Sequence, residues 1–258
     1  IILVGDQERV GMVSSQFDSI EFKSNHREFF CHTGLYKNKR ISVLSTGIGT
    51  DNIDIVVNEL DAAFNINLET KEEKQELTQL EIIRIGTCGL LQADIPVHSY
   101  VLSEYALGLD NVGHFYALKY TDKEKELLKA IQDCSIFPEY IIPYIKKASS
   151  NFVEKFATEH TIKGITVTSS GFYAPQGRAL RLPTHTSDLH EKLEIFKHNS
   201  HRFVNFEMES SALFALGTAL GHYCATICLG IANRPAKQFS SDYSSHMKEL
   251  IHHVLKRL

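Results

Sequence analysis

The chain has 258 residues, of which 43% are hydrophobic and 22% are charged. This ordinary globular composition excludes a disordered, fibrous or coiled-coil protein. A formal net charge of −4 provides no protein-wide positive field, so we expect neither nucleic acid nor a membrane surface as a partner. An anionic ligand would therefore require a local cluster of arginines.

No stretch of the sequence is long enough to cross a membrane, which takes about 18 consecutive apolar residues. The most apolar run, Cys224 to Ala232, is half that length. The five cysteines are scattered without zinc-ligand spacing, so we expect reduced thiols and a cytoplasmic location. The sequence opens at Ile1 without a methionine or a signal-peptide pattern, which suggests that an N-terminal segment of the natural chain is missing.

Runs rich in β-branched residues alternate with amphipathic patterns along the chain. In chain order they predict strand Ile1–Val4, helix Gln7–Phe17, strand Ile41–Ser45, helix Asp51–Phe64, strands Ile82–Ile85 and Tyr100–Glu104, helix Thr121–Gln132, strand Ile165–Thr168, helix Glu207–Leu220, strand Ala225–Ile231 and helix Ser241–Leu258. Several strands are apolar on both faces, as strands covered by helices on both sides must be. We therefore predict one three-layer α/β/α domain over residues 1–258, with a mixed, largely parallel central sheet.

Two stretches do not fit this alternation. Residues 69–81 contain five acids and two lysines, and we expect a solvated helix or an excursion from the fold there. Residues 136–163 have no clean period, and we assign them loosely to helix.

Glycine turns follow three of the predicted strands, at Gly5, at Gly47 with Gly49, and at Gly86 with Gly89. In open α/β sheets this edge binds ligands, because helix N-termini present free N–H groups there. Each turn alone could equally be an ordinary strand-to-helix connection. None contains a dinucleotide or P-loop fingerprint, which disfavours a dehydrogenase or a nucleoside triphosphatase.

Two arginines indicate that the ligand at this edge of the sheet is an anion. Arg9 follows the first glycine turn, and Arg84 lies within an otherwise apolar strand. A guanidinium in such a strand is costly unless it is paired or bound to a ligand. Arg84 is therefore either an anion contact or a member of a buried ion pair. Planar guanidinium groups suit phosphate oxygens.

Five motifs, in this order and spacing, resemble the nucleoside phosphorylase family over nearly the whole chain. They are Gly5-Asp6-Gln7-Glu8-Arg9-Val10, Asn25-His26-Arg27-Glu28-Phe29, Ser45-Thr46-Gly47-Ile48-Gly49, Arg84-Ile85-Gly86-Thr87-Cys88-Gly89 and Phe206-Glu207-Met208-Glu209-Ser210. The resemblance implies the phosphorylase/hydrolase-like fold and phosphorolysis of a nucleoside, giving ribose 1-phosphate and a free base. It implies no organic cofactor and no catalytic metal.

The resemblance also assigns two subsites. Phosphate is expected at Gly5, Arg9, Arg84 and Thr87, with Arg27 reaching in from a neighbouring subunit, so the active protein would be a homo-oligomer with shared sites. Ribose is expected at Thr87, Met208 and Glu209. A carboxylate there would orient the sugar hydroxyls and stabilise an oxocarbenium-like transition state. Without the resemblance, Glu207 and Glu209 would be interpreted as acids that open an exposed helix.

The segment around Gln176 and Arg178 resembles the uracil-recognition motif of the uridine phosphorylase branch. There an amide and a guanidinium bind the pyrimidine edge and support the negative charge on the leaving base. The base site would comprise Phe172, Gln176, Arg178 and Glu207, and the catalytic residues would be Arg84, Gln176 and Arg178. Ala174-Pro175 and Gly177 depart from the pattern of better-known members.

Asn233-Arg234 stands where purine-specific members have an acid that protonates the leaving base. Its absence favours the pyrimidine branch. Uridine phosphorolysis is therefore the favoured function. A broader phosphorylase acting on thymidine, deoxyuridine or purine nucleosides, a nucleosidase and a non-catalytic nucleoside binder are the alternatives.

Two further expectations come from the resemblance. The family's N-terminal histidine, which binds the 5′-hydroxyl across the subunit boundary, has no assignable counterpart among the 13 histidines. Glu28, Ile48 and Asn52 fall where some relatives hold a monovalent cation between subunits, although Asn52 replaces a hydroxyl residue.

Overall fold

The structure is a computed structural model that describes all 258 residues. Its strands are β1 (Ile2–Val4), β2 (Ser19–His26), β3 (Phe29–Tyr36), β4 (Lys39–Ser45), β5 (Ile66–Asn67), β6 (Glu72–Glu73), β7 (Glu81–Leu90), β8 (Tyr100–Gly108), β9 (Tyr144–Lys147), β10 (Thr161–Thr168), β11 (Lys197–His198), β12 (His201–Glu207), β13 (Tyr223–Asn233) and β14 (Gln238–Phe239). Its α-helices are α1 (Gln7–Ser14), α2 (Thr50–Asn65), α3 (Asp122–Asp133), α4 (Ser150–Glu154), α5 (Leu189–Ile195), α6 (Ser210–Ala219) and α7 (Ser244–Leu255). None of these helices has the length and apolar character needed to cross a membrane.

Twelve of the strands form one mixed sheet. Its order is β11-β12-β10-β8-β13-β7-β1-β4-β3-β2, with β9 beside β8 and β14 beside β13. Strand β1 runs parallel to β4 and β7, and β7 runs parallel to β13. Strands β13 and β8 are antiparallel, as are β2, β3 and β4. The predicted α/β class with a mixed central sheet is confirmed.

One part of the sheet closes on itself. Strand β12 pairs with β10 and also, antiparallel, with the end of β7, where Phe206 lies opposite Gly89 and Asn205 opposite Leu90. Strands β7, β13, β8, β10 and β12 therefore form a closed ring. The closure places the residues that follow β12 beside those at the end of β7.

Helices cover both faces of the central strands, as the apolar runs predicted. Strand β13 is buried continuously from Cys224 to Gly230, so its side chains find apolar partners on either side. The largest core cluster includes Ile83 of β7 with Val56 of α2, Leu213 of α6 and Leu250 of α7.

The predicted helix Glu207–Leu220 begins later than expected, at Ser210. Glu207 instead ends β12, where it lies opposite Thr168 of β10. Its carboxylate accepts hydrogen bonds from the backbone N–H groups of Glu209 and Ser210. The Glu207 side chain therefore caps α6 from a position before the helix begins. Hydrophobic periodicity alone cannot distinguish such a capping residue from a residue in the first helical turn.

Other differences lie outside the central strands. Residues 136–163 are mostly not helical, because Tyr144 and Ile145 are buried in β9, which pairs with β8. Residues 69–81 contain no helix; they include β6, which pairs with β5 in a separate small sheet, and Glu81 begins β7. Strands β2, β3 and β12 were not predicted.

Candidate active site

A cavity of about 590 Å³ lies at the carboxyl ends of β1, β7, β10 and β12. Ten of the eleven residues expected at the phosphate, ribose and base sites line it. They are Gly5, Arg9, Arg84, Thr87, Phe172, Gln176, Arg178, Glu207, Met208 and Glu209. The remaining residue, Arg27, does not line the cavity of its own chain.

One end of the cavity is formed by the turn after β1 and by β7. A Cβ atom at Gly5 would lie 3.9 Å from Arg84 Nη2, so the first glycine turn directly faces the Arg84 guanidinium. Arg9, in the first turns of α1, is buried beside it. Burial, followed by the charge of Arg84, lowers the pKa of Arg9 from its usual value. Two guanidinium groups, those of Arg9 and Arg84, therefore lie close together at this end of the cavity.

Arg84 forms a buried cluster of ion pairs with Glu207, the last residue of β12, and Glu209, which follows the strand. Its Nη2 donates to Glu209 Oε2, and its Nη1 lies 3.5 Å from Glu207 Oε2. Burial alone would lower the pKa of Arg84, but Glu209 and Glu207 outweigh it and raise the pKa above the usual value. Arg84 thus is a member of a buried ion pair, as one interpretation of its position in the strand expected. It also lines the cavity, and its contact with an anion stays a prediction.

The carboxylate of Glu209 is held from two directions. Besides Arg84, it accepts a hydrogen bond of 2.9 Å from the backbone N–H of Gly49, which precedes α2. Gly49 has a φ of +99°, a conformation that strongly favours glycine. The second glycine turn and Arg84 of β7 therefore fix the same carboxylate at the cavity wall.

The Glu207 carboxylate is turned into the protein rather than across the cavity. It accepts from the hydroxyls of Thr168 and Ser210 as well as from the two N–H groups at the start of α6. Burial and the neighbouring Glu209 raise its pKa, and Arg84 opposes the shift. Its hydrogen-bonding capacity is largely used by the protein, so the geometry favours a supporting role over the expected direct contact with a base.

The opposite end of the cavity contains the predicted base-recognition pair. Arg178 Nη2 donates to Gln176 Oε1 over 3.0 Å, and the Arg178 guanidinium stacks 3.6 Å from the centre of the Phe172 ring. Arg234 donates to the same Oε1 and, over 2.9 Å, to the Gln176 backbone carbonyl. Because two guanidiniums donate to the oxygen of the Gln176 amide, its NH₂ group is directed elsewhere.

Neither guanidinium at this end forms an ion pair with a carboxylate. Burial, followed by the charge of Arg178, lowers the pKa of Arg234 to about 10, and burial also lowers the pKa of Arg178. This end of the cavity is therefore electropositive and suited to hydrogen-bond acceptors or to developing negative charge.

Arg27 lies on the exposed segment between β2 and β3, with a φ of +54°. Its backbone carbonyl accepts from Gln7 Nε2, while its side chain has no partner within the chain. The possible cation ligands are close to the cavity edge: a Cβ at Gly47 would lie 2.5 Å from Asn52 Nδ2 and 3.0 Å from Glu28 Cγ. The side chains of Glu28 and Asn52 thus flank one glycine, next to the exposed Ile48.

The sequence analysis did not assign several residues that line the cavity. Chief among them are Arg234, His190, Phe206, Lys237 and Phe239. Arg234 belongs to a motif that was noticed, although only as a mark of the pyrimidine branch. His190 belongs to no recognisable motif, so no local sequence signal could have identified it.

Known proteins resemble this chain over most of its length. A uridine phosphorylase of Thermococcus kodakarensis is 30% identical over 242 residues, spanning 93% of this chain and 74% of that protein. A purine nucleoside phosphorylase of the DeoD type from Brevibacillus brevis is 28% identical over 84% of this chain and 74% of its own. A Trypanosoma brucei nucleoside phosphorylase structure, described as showing uridine phosphorylase activity, superimposes with a TM-score of 0.91 at 28% identity, covering 100% of this chain and 92% of that one.

The family profile described as the phosphorylase superfamily matches residues 1–257. Together with the full-length structural match, this extends the likeness from the site residues to the whole chain. The chain belongs to the phosphorylase superfamily.

Proposed function

We propose that the protein is a uridine phosphorylase that catalyses the reversible phosphorolysis of uridine to uracil and ribose 1-phosphate. The observation that carries the proposal is a single cavity with two guanidiniums, Arg9 and Arg84, at one end and the Gln176–Arg178 pair at the other. The uridine phosphorylase relatives from Thermococcus kodakarensis and Haemophilus influenzae support it, at 30% and 27% identity over 93% of this chain.

We assign inorganic phosphate to the first end of the cavity. The guanidiniums of Arg9 and Arg84 would bind its oxygens, with the Thr87 hydroxyl and the backbone N–H groups at Gly5. These donors offset the desolvation of a dianion and orient one oxygen towards the anomeric carbon. Arg27 would contribute from a neighbouring subunit.

The ribose would lie between the two ends, beside Thr87, Met208 and Glu209. As phosphate attacks C1′ and the C1′–N1 bond breaks, the sugar acquires oxocarbenium character. The Glu209 carboxylate, fixed by Arg84 and Gly49, would accept from the sugar hydroxyls and stabilise this positive charge. Arg84 would therefore act on both substrates.

The electron pair of the broken bond passes to the pyrimidine ring and its carbonyl oxygens. The Gln176 amide NH₂ and the Arg178 guanidinium would donate to these oxygens, while Phe172 contacts the base or ribose face. Such stabilisation acts where charge develops in the transition state and so raises kcat. We infer that Glu207 acts indirectly, by holding Arg84 and the start of α6.

A purine preference would require an acid beside the leaving base. The carboxylates that line the cavity are Asp6, Glu207 and Glu209, and none of them hydrogen-bonds with Gln176, Arg178 or Arg234. Asn233, at the position of the purine-specific acid, is buried and donates to the backbone carbonyls of Gln92 and Ile95. We therefore place purine nucleosides second.

Several wider features of the proposal follow the same reasoning. We propose a homo-oligomer with shared sites, a cytoplasmic location in keeping with the five free cysteines, and one catalytic domain over residues 1–258. Phosphate is a co-substrate and no organic cofactor is proposed. A monovalent cation at Glu28, Ile48 and Asn52 is compatible with the position of their side chains around Gly47.

The reaction itself is tested by incubating the protein with uridine in the presence and absence of phosphate. We expect uracil and ribose 1-phosphate to form only when phosphate is present, because the Arg9–Arg84 end is built for an anionic nucleophile. Inosine and thymidine serve as comparison substrates and should be converted more slowly. Equal uracil release in phosphate-free buffer would identify a nucleosidase instead.

Replacing Arg178 by alanine tests the base end. We expect Arg178→Ala to lower kcat on uridine by roughly 10²–10³, the usual cost of removing one donor to a developing oxyanion, with little effect on the KM for phosphate. Arg181→Ala, which changes an exposed arginine of the same loop outside the cavity, is the matched control. Equal losses in both variants would contradict this role.

Mixing two inactive variants tests the shared site. If Arg27 serves the neighbouring subunit, a hybrid of Arg27→Ala and Arg84→Ala subunits has one intact site per pair. Random re-association of equal amounts should then restore about a quarter of wild-type activity in a two-subunit arrangement. A mixture that remains as inactive as its components would show that Arg27 does not complete a partner's site.

A further inference from the structure

His190 lies at the base end of the cavity but has no role in the reaction as described above. It occupies the first turn of α5, immediately after the long loop that follows β10. The side chain is only partly exposed and its ring lines the cavity. The segments around it supply Gln176, Arg178 and Arg234, so its surroundings are those of the base.

The imidazole packs directly against the turn that separates Gln176 from Arg178. Gly177, at the centre of this turn, has a φ of +68°, and a Cβ there would lie 2.8 Å from His190 Nε2. Glycine is therefore required at this position both by the backbone conformation and by the closeness of the ring. On its other side the ring meets Phe206 edge to face, with centroids 6.1 Å apart.

The charged groups that face His190 are Arg234, from the loop after β13, and Arg178, from the loop after β10. Burial, with these two guanidiniums, lowers the pKa of His190, while the backbone carbonyls of Gln176 and Gly177 oppose the shift. This shift favours the neutral ring, which has one N–H to donate. His190 Nδ1 is buried without a hydrogen-bond partner, and Nε2 is the ring atom nearest to the Gly177 position of the turn.

This arrangement makes the turn dependent on the ring. The conformation of the turn determines the relative positions of the Gln176 amide and the Arg178 guanidinium. The ring fills the space behind it, and no other cavity-lining side chain approaches the Gly177 position within 3.4 Å. Without the ring, the turn would be free to shift into the vacated space. The Gln176 amide and the Arg178 guanidinium would then move away from the substrate.

We propose that His190 is a positioning residue for the base, whose ring supports the Gln176–Arg178 turn against the pyrimidine. The inference rests on the proposed function and adds to it a residue that touches neither phosphate nor the reacting carbon. A displacement of about 1 Å in a positioning group can cost on the order of 10²-fold in rate.

The test compares His190→Ala and His190→Gln with the wild type. We expect His190→Ala to lower kcat/KM for uridine on the order of 10²-fold, to leave the KM for phosphate unchanged and to weaken the preference for uridine over inosine. His190→Gln, which retains a neutral polar group of similar reach, should recover most of the loss. His185→Ala, at an exposed histidine of the same loop outside the cavity, should behave as the wild type.

The dependence of kcat/KM for uridine on pH provides a second test. A purely structural role of His190 would leave this dependence unchanged. In the wild type, protonation of His190 as the pH falls places a positive charge against the turn that carries Arg178. Its repulsion of Arg178 and Arg234 should displace the base-recognition groups, so kcat/KM for uridine should decrease at acidic pH. His190→Gln should lack this part of the decrease, whereas His185→Ala should keep it.

The outcomes separate this inference from the proposed function. If the wild type does not convert uridine with phosphate, the proposed function fails and this inference fails with it. An active wild type with unchanged kinetics in His190→Ala would overturn the positioning role alone. A folded His190→Ala variant that raised the KM for phosphate and kept its uridine preference would overturn it as well.

Discussion

The structure of the site depends on one buried contact, the ion pair between Arg84 of β7 and Glu209 in the segment that links β12 to α6. An arginine within an apolar strand is tolerated only when its charge is compensated, and removing one partner of such a pair typically costs about 3–5 kcal/mol. The partner is within reach because β12 closes onto the end of β7. The closed ring of strands therefore makes the buried pair possible.

This contact also links the two halves of the proposed reaction. The guanidinium that would bind phosphate also holds the carboxylate that would bind ribose, and Gly49 fixes the other oxygen of that carboxylate. Glu207 supports both from behind through Thr168 and Ser210. At the far end, Arg178 and Arg234 have no carboxylate partner and converge on the oxygen of Gln176. The cavity thus offers cations to a nucleophile at one end and to a leaving group at the other.

The sequence predicted those features that depend on local pattern. Continuous apolar runs identified β7 and β13, and Arg84 was conspicuous because it interrupts one of them. The resemblance then brought together residues that the fold does place in one cavity. The exposed strand β2 was missed, although its alternating Ser19-Ile20-Glu21-Phe22 pattern was readable. Glu207 was assigned to helix α6, although it is the last residue of β12. The error arose because an acid that caps a helix from the end of a preceding strand fits the same sequence pattern as an acid in the first helical turn.

Features that arise from the meeting of distant segments could not be predicted. His190 acquires its environment from Gly177, Phe206 and Arg234, which come from three separate parts of the chain. The same holds for the saturation of the Glu207 carboxylate by Thr168, which follows from strand register rather than from sequence spacing. In both cases the residue type was visible in the sequence and its function was not.

The central claim is that one cavity binds phosphate and a pyrimidine at opposite ends, with Arg84 at the phosphate end and Glu209 between the two. It is tested most directly by a crystal structure of the protein with phosphate and uracil bound together, a pair that cannot react. The account predicts phosphate in contact with Arg9 and Arg84, and uracil in contact with Gln176 and Arg178. Phosphate bound away from Arg84, or uracil bound outside the Gln176–Arg178 turn, would contradict it.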